Sequence, residues 1–434
     1  MRLSRYVKIF PFEEKPGYLL LYSTKKTSSL LIRESLLRSI EEGTLPPSTA
    51  ESLYSLCMLV SDEAQEREQV LGMFDAYNKG CTRFNAMAVM NLDCNLACTY
   101  CYEGGMKGRH YMSSGTVDAL VGYIQKHPLA AGKDVRIDFY GGEPLLSFEQ
   151  IKDISGRLKA SAQEKGLRYS FGLVTNGTLL TRERAEELVG LGLAGAKITI
   201  DGPREVHDRL RPFRSGSGTF DAIVGNLKAV YDIVDIQVGG NYTRENYREF
   251  PRLLDHLIDA GFEPGMLSMV KFDPVIEVKS DFGLPDFREG CACINEPWLF
   301  EASIFLREEI LKRGFRTIRI MPASCMVEIR DDIVVDHDGA IYKCPGFIGR
   351  KDLRAGDLWS GMQDYDESHR LDIWKNRECL DCVYLPLCFG GCRYMKLLRD
   401  GGIDGVDCRR EYLDATLETF VRQEIKYKMK HELT

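Results

Sequence analysis

Apolar and polar positions alternate over short runs at the start of the chain, then settle into a repeated strand-then-helix rhythm. Residues 6–10 and 18–22 read as strands joined by FEEKPG, whose Pro16-Gly17 pair is a turn signal. A third strand-like run, 28–32, leads into helical patterns over 33–42 and 49–60, separated by Pro46 and Pro47. Residues 1–80 therefore predict a small α+β module, a hairpin followed by helices. From about residue 85, strand-like runs at 86–92, 135–140, 169–175, 197–200, 236–241 and 267–272 are each followed by a longer helical pattern, over 114–126, 148–165, 182–189, 219–231, 247–260 and 297–313. Six successive β-then-α units predict an α/β domain over 85–315 with a parallel sheet, open or curled into a partial barrel. The third part, 320–434, is cysteine-rich and short of regular patterning until a charged helical stretch over 409–430.

Composition changes this picture in one respect. The 434 residues are 44% hydrophobic and carry 57 Lys+Arg against 64 Asp+Glu, a formal charge of −7. Such a chain has ample material for cores in two or three domains and needs no disulfides to fold. No run approaches the ~20 apolar residues of a membrane span, and the opening MRLSRYVKIFPFEEKPG lacks the basic-then-apolar layout of a signal peptide. A cytoplasmic protein is expected, with no membrane partner, and mild acidity without basic runs argues against nucleic acid as a partner. Fourteen cysteines are then an excess, because thiols stay reduced in that compartment. Cys94, Cys98 and Cys101 stand together in CNLACTYC, and Cys325, Cys344, Cys379, Cys382, Cys388, Cys392 and Cys408 all follow residue 320. Clustered thiolates in a reducing compartment point to soft-metal ligation. Cys57, inside LYSLCMLV, fits a buried apolar residue instead.

CNLACTYC lies just past the first strand of the β/α series, where loops at the carboxyl ends of parallel strands converge on ligands. Three thiolates are one short of the four that hold a typical cubane, so a [4Fe–4S] cluster here keeps one iron open to an outside ligand. A zinc site closed by His110 is the alternative. The next loops add to this. YGGEP (140–144) follows the second strand, its paired glycines allowing close approach and Glu143 offering an anion to an ammonium group. TNGT (175–178) ends the third strand and Asp201-Gly202-Pro203 the fourth. Each is an ordinary turn alone; together they place four polar or glycine-rich loops at one end of one sheet.

The combination of CNLACTYC, YGGEP, TNGT and TIDGPREVHDRLR resembles the radical S-adenosylmethionine superfamily over about residues 85–315. The resemblance implies a partial (β/α)6 barrel with a [4Fe–4S] cluster on Cys94, Cys98 and Cys101, whose open iron takes the amino and carboxylate groups of S-adenosylmethionine. One-electron reduction then yields a 5′-deoxyadenosyl radical that abstracts a substrate hydrogen, the electron coming from a low-potential donor such as flavodoxin or ferredoxin. By position, Gly141, Gly142 and Glu143 meet the methionine amino group, Asn176 and Asp201 lie along the ribose, Arg211 pairs with the carboxylate, and Tyr100 packs near the adenine.

The later cysteines, Cys325-x13-Gly339-x4-Cys344 and then Cys379-x2-Cys382-x5-Cys388-x3-Cys392 followed by Cys408, resemble the SPASM extension of peptide-modifying radical enzymes. That resemblance implies two auxiliary [4Fe–4S] clusters, three clusters in all. Cys379, Cys382, Cys388 and Cys408 hold one, and Cys325, Cys344 and Cys392 the other. Either Cys291 or Cys293 completes the latter, or its iron stays open to a substrate thiolate. A zinc ribbon in CLDCVYLPLCFGGC is the alternative. Sulfatase-maturating relatives place a general-base aspartate directly after the position of Cys344; here Pro345 stands there. Residues 1–80 resemble the small, winged-helix-like peptide-recognition domain of enzymes that process ribosomally made peptides, which pairs with a leader segment by strand addition. The whole layout resembles the geopeptide maturases and the sactipeptide and ranthipeptide thioether synthases. It implies an enzyme that joins a cysteine sulfur of a precursor peptide to a carbon of another residue. Alternatives are a carbon–carbon or carbon–oxygen cross-linker, a formylglycine-type dehydrogenase, and a non-catalytic iron–sulfur interaction protein.

Overall fold

The computed structural model describes residues 1–278, 287 and 289–431. The chain divides into two compact units, one of Met1–Gly80, Arg319–Ile329 and Arg370–Thr434, the other of Cys81–Ile318 and Arg330–His369. Among the described residues, no helix is long and apolar enough to cross a membrane.

The second unit is built on the β/α alternation. Its strands Arg83–Asn91, Asp134–Gly141, Tyr169–Thr175, Leu193–Thr199, Asp235–Tyr242 and Met269–Pro274 pair in sequence order, all parallel. Alternation within Asp134–Gly141 sends Val135, Ile137 and Phe139 into the core while Arg136, Asp138 and Tyr140 keep partial exposure. Helix Ser114–Lys126 begins where the Ser113 hydroxyl accepts the Thr116 N–H at 3.1 Å, and it buries Val117, Leu120, Val121 and Ile124. Helix Phe148–Glu164 buries Ile151, Ile154 and Leu158 in the same way. Each such side chain contributes about 1.5–3 kcal/mol when taken fully from water. The fourth strand starts at Leu193, four residues before the expected run, because Gly192 at φ 113° caps the preceding helix in the left-handed region.

Residues 330–369 extend this sheet past its first strand. Asp332–Val335 pairs parallel to Arg83–Asn91, with Asp332 opposite Asn85, and Ala340–Tyr342 and Arg354–Asp357 add antiparallel beyond it. Strands of three or four residues are too short to register as periodicity, so the sequence pattern showed only an irregular stretch here.

The first unit carries a three-stranded antiparallel sheet, Val7–Pro11, Tyr18–Ser23 and Ser28–Arg33, with the second strand central. Helices Glu34–Glu41, Pro47–Ser55, Glu63–Leu71 and Met73–Gly80 follow. The helix expected over 49–60 stops at Ser55: Cys57 takes φ 54°, and Leu59–Val60 turns back to pair with Arg2–Leu3. One sheet face buries Leu21 and Ile32 against Ile40, Ala50, Leu53 and Met58. The other packs Phe10, Leu20 and Tyr22 against Tyr384, Leu387 and, from helix Arg410–His431, Leu417 and Val421. The same helix covers one sheet edge, Arg422 reaching the Pro11 carbonyl at 2.5 Å and Glu14 at 3.1 Å. Ser28–Arg33 forms the opposite edge, with Ser29, Leu31 and Arg33 exposed.

Candidate active site and thiol groups

All fourteen cysteines are free thiols, so the excess noted in the sequence is not spent on disulfides. Cys94, Cys98 and Cys101 leave the carboxyl end of Arg83–Asn91 on a loop that other backbone segments clamp. Ala97 and Thr99 donate to the carbonyls of Pro212 and Leu210, and the Arg214 N–H donates to Asn95. The glycines after the second strand serve this loop directly. The Gly142 N–H donates to the Asn91 carbonyl and the Glu143 N–H to that of Asp93. A Cβ on Gly142 would stand 2.1 Å from the Asp93 carbonyl oxygen. Gly141 abuts Asn91 similarly, so both glycines admit the cysteine loop.

The three thiols share one electrostatic environment. Burial pushes the Cys94 thiol up and that of Cys101 up to about 11; the Lys107 ammonium opposes both shifts, and charge on Cys98 adds to them. Lys107 is hydrogen-bonded to Cys101, and all three thiolates favour its charged form. Among the described residues, no three His, Cys, Asp or Glu side chains converge as ligands of a single ion do. His110 lies beside the His337 ring, centroids 5.6 Å apart. A cubane spreads its thiolates over separate irons, and three neighbouring soft donors with an ammonium to offset their charge fit that group.

The residues assigned to S-adenosylmethionine divide into two networks. Glu143 is fully buried, and its carboxylate accepts the Leu145 N–H at 3.0 Å, the Thr175 hydroxyl at 2.8 Å and the Asn176 N–H at 2.8 Å. It therefore ties YGGEP to TNGT. Asn176 sends its Nδ2 to Asn95 Oδ1 at 2.9 Å and lies 3.8 Å from Cys94 Sγ. In the second network the Tyr100 hydroxyl bonds Asp201 and accepts from Arg211 Nη1 at 2.8 Å. Arg211 Nη1 is 3.8 Å from Asp201, and its Nε is buried without a partner. Burial drives the Asp201 carboxyl up while Arg211, Tyr100 and Asn241 hold it down. An orphaned guanidinium N–H beside the cysteine loop is what a carboxylate ligand would satisfy.

Three contributors escaped the sequence reading. Asn241 donates its backbone N–H to Asp201 at 2.7 Å and its Nδ2 to Tyr100 at 3.1 Å. His207, fully buried, accepts the Asp201 N–H on Nδ1 at 3.0 Å and faces the Thr219 hydroxyl with Nε2 at 2.9 Å. Thr219 spends its own proton on the Arg211 carbonyl, which assigns the His207 proton to Nε2. Burial, then the charge of Arg211, pushes the His207 pKa well down. Glu103 is buried with one oxygen unpartnered, hydrogen-bonded to Tyr102 and Tyr140, and burial raises its carboxyl to about 7. Glu103, two residues after Cys101, and His207, inside TIDGPREVHDRLR, each stood within or next to a sequence signal; Asn241 did not.

In the first unit the later cysteines form two groups. The thiolates of Cys382 and Cys408 act on Cys379, and that of Cys379 on Cys388, each secondary to the upward push of burial. Cys325 is likewise raised by burial, with Cys392 adding to it and Arg393 opposing. The chain between the groups is tightly wound. Phe389, Gly390 and Gly391 are all left-handed, and a Cβ on Gly391 would lie 1.9 Å from the Asp407 carbonyl oxygen. Asp407 in turn accepts the Cys392 N–H at 3.3 Å and bonds Arg399 at 2.7 Å. Cys344, after strand Ala340–Tyr342, belongs to the other unit, as do Cys291 and Cys293. Cys291 is buried on a bridge to Ile276, its thiol pushed up to about 12 by burial, and Cys293 shares with Ala292 a backbone hold on Glu296.

A parallel α/β sheet with three thiols at the carboxyl end of its first strand is the layout of an iron–sulfur radical enzyme domain. Residues 89–257 match the family model described as Radical SAM superfamily: this segment is a radical SAM domain, and that family implies S-adenosylmethionine and a [4Fe–4S] cluster. The chain is similar to the Fe-coproporphyrin III synthase of Methanosarcina barkeri, 34% identical over 39% of each chain. It is similar over a longer stretch to the cysteine-type anaerobic sulfatase-maturating enzyme of Clostridium perfringens, 24% identical over 69% of this chain and 86% of that one. Among solved structures it shares the fold of native anSMEcpe with bound AdoMet and Kp18Cys peptide, with a TM-score of 0.63 and 18% identity over 80% of this chain and 98% of that one. It also shares the fold of Streptococcus suis SuiB bound to precursor peptide SuiA, with a TM-score of 0.52 and 15% identity over 94% and 98%.

Proposed function

We propose that the chain is a radical S-adenosylmethionine maturase that installs thioether cross-links in a cysteine-containing, ribosomally made precursor peptide. One observation carries the reading: the unit that gathers Cys379, Cys382, Cys388 and Cys408, and separately Cys325 and Cys392, also presents the edge strand Ser28–Arg33, with Ser29, Leu31 and Arg33 exposed. An extended leader adds to that edge by main-chain hydrogen bonds, while the peptide core supplies the thiol and the acceptor carbon. Cys94, Cys98 and Cys101 would hold the cluster that, with S-adenosylmethionine, would supply a carbon radical to remove a substrate hydrogen. Arg211 Nε would take the cofactor carboxylate, Asp201 and Asn176 would serve its ribose, and the Glu143 brace fixes the two loops that would line it. The later cysteines hold two auxiliary clusters, for three in all, and a flavodoxin or ferredoxin supplies the electron in the cytoplasm.

The likeness to sulfatase-maturating enzymes favours a second reading, formylglycine-type dehydrogenation of a protein side chain. Pro345, occupying the place of the aspartate base, weighs against it. Anaerobic co-expression with short cysteine-bearing peptides from adjacent reading frames, followed by mass spectrometry, separates the two. A loss of two hydrogens with a thiol that no longer alkylates supports the cross-link; a carbonyl product trapped by hydrazine refutes it.

A further inference from the structure

Glu328 and Arg393 form an ion pair that is almost wholly buried, each side chain 3% exposed, at 2.6 Å. Burying such a pair gains little or no stability over an apolar pair of the same shape, so its position calls for another explanation. Arg393 directly follows Cys392 and opens helix Arg393–Asp400. Glu328 sits one turn after Cys325 and donates its backbone N–H to the Cys325 carbonyl at 2.9 Å. Its second carboxylate oxygen accepts the Asp372 N–H at 3.3 Å, and its carbonyl accepts Asn78 Nδ2 at 2.9 Å. The pair thus links the two cysteine-bearing turns from behind.

Glu328 engages only one of the two terminal nitrogens of Arg393. Nη2 makes the bond, whereas Nη1 is buried with no partner among protein groups. A buried guanidinium N–H left over on the residue that follows Cys392, with Cys325 within its electrostatic reach, needs an anionic acceptor, and the sulfurs of an iron–sulfur cluster are such acceptors. Soft thiolates, an orphaned donor and a counter-charge held back by Glu328 fit the group together.

We propose that Arg393, braced by Glu328, donates Nη1 to the sulfurs of the auxiliary cluster held by Cys325 and Cys392 and sets that cluster's reduction potential. This rests on the reading of Cys325 and Cys392 as cluster ligands. A fixed cation and hydrogen bond favour the more negative, reduced state, so they raise the potential. Arg393 is a positioning and tuning residue that touches the cluster, not the substrate.

The test uses the full chain with C94A/C98A/C101A, leaving only the auxiliary clusters, purified anaerobically and titrated electrochemically with paramagnetic resonance detection. R393Q is expected to move one of two midpoint potentials to more negative values and leave the other in place, whereas R393K restores most of the shift. E328Q/R393Q, which leaves no buried charge, gives the same direction of shift and serves if R393Q alone does not accumulate. Unchanged midpoints in both variants at full auxiliary iron overturn the proposal while leaving the ligand assignment standing. Iron for one auxiliary cluster only in the parent overturns the assignment itself, and the proposal with it.

Discussion

Gly142→Ala isolates the packing of the cysteine loop from every other property of the site. Gly142 has no positive φ, so the substitution adds a methyl group without backbone strain of its own. That methyl would stand 2.1 Å from the Asp93 carbonyl oxygen, 2.6 Å from its carbon and 3.1 Å from the Leu92 carbonyl carbon, against a practical limit of 3.0 Å. All three neighbours are backbone, so no rotamer change relieves the contact. Asp93 must retreat by nearly an ångström, which breaks its 2.8 Å bond from the Glu143 N–H and shifts Cys94 next to it. Overpacking of this kind costs about 1–3 kcal/mol, and the lost hydrogen bond adds about 1 kcal/mol. Gly122→Ala, in the middle of helix Ser114–Lys126 with open space around its would-be Cβ, is the matched control and should stabilise by about 0.5–1 kcal/mol. Denaturant midpoints should move in opposite directions for the two variants, and anaerobically reconstituted G142A should lose iron and S-adenosylmethionine cleavage while G122A keeps both. A G142A protein with wild-type midpoint and iron content would refute the close-approach argument.

Replacing Cys94, Cys98 and Cys101 together by Ala should abolish release of 5′-deoxyadenosine under dithionite while the iron of the later cysteines stays bound; cleavage that persists would remove the assignment of the first cluster. His207, neutral in the fold with its pKa pushed well down, gives a signed pH dependence. Below about pH 6.5 only the unfolded state takes up its proton, so stability falls as pH drops, with a slope of up to about 1.4 kcal/mol per pH unit. H207N, whose amide oxygen can accept the Asp201 N–H, should flatten that slope in urea titrations between pH 5 and 7, and an unaltered slope would contradict the assignment. Leu31→Pro on the edge strand Ser28–Arg33 should weaken leader-peptide binding at least tenfold by fluorescence anisotropy, with peptide-independent S-adenosylmethionine cleavage unchanged; equal binding by the variant would place the leader elsewhere.

Much of the site was legible because its signals are local. The spacing of Cys94, Cys98 and Cys101 is set within one loop, and the loops after the second, third and fourth strands each announce themselves by turn residues next to an apolar run. Strand Tyr169–Thr175 and helix Ser114–Lys126 match their expected bounds, the helix because Ser113 caps its start and Val117, Leu120, Val121 and Ile124 recur at helical spacing. Asn241 was not legible, since it acts through hydrogen bonds to Asp201 and Tyr100 across the sheet and no spacing rule marks it, and His207, though inside TIDGPREVHDRLR, gave no sign that its ring would accept the Asp201 N–H. The hydroxyl of Tyr100, whose ring the resemblance sets near an adenine, is engaged by Asp201, Arg211 and Asn241.

What the sequence determined by itself is the parallel β/α order, the cysteine spacings and the resemblance they carry, because strand period, helix period and ligand spacing are short-range quantities. Tertiary structure alone decided that residues 330–369 complete the sheet beside Arg83–Asn91, and that residues 1–80 share a core with the chain beyond residue 370. It also decided that a buried arginine beside Cys392 would keep one donor unspent. Those outcomes depend on which apolar faces find each other and which polar groups are left over once they do, and both are settled by contacts between residues far apart in sequence, from 65 positions for Glu328 and Arg393 to 247 for Asn85 and Asp332.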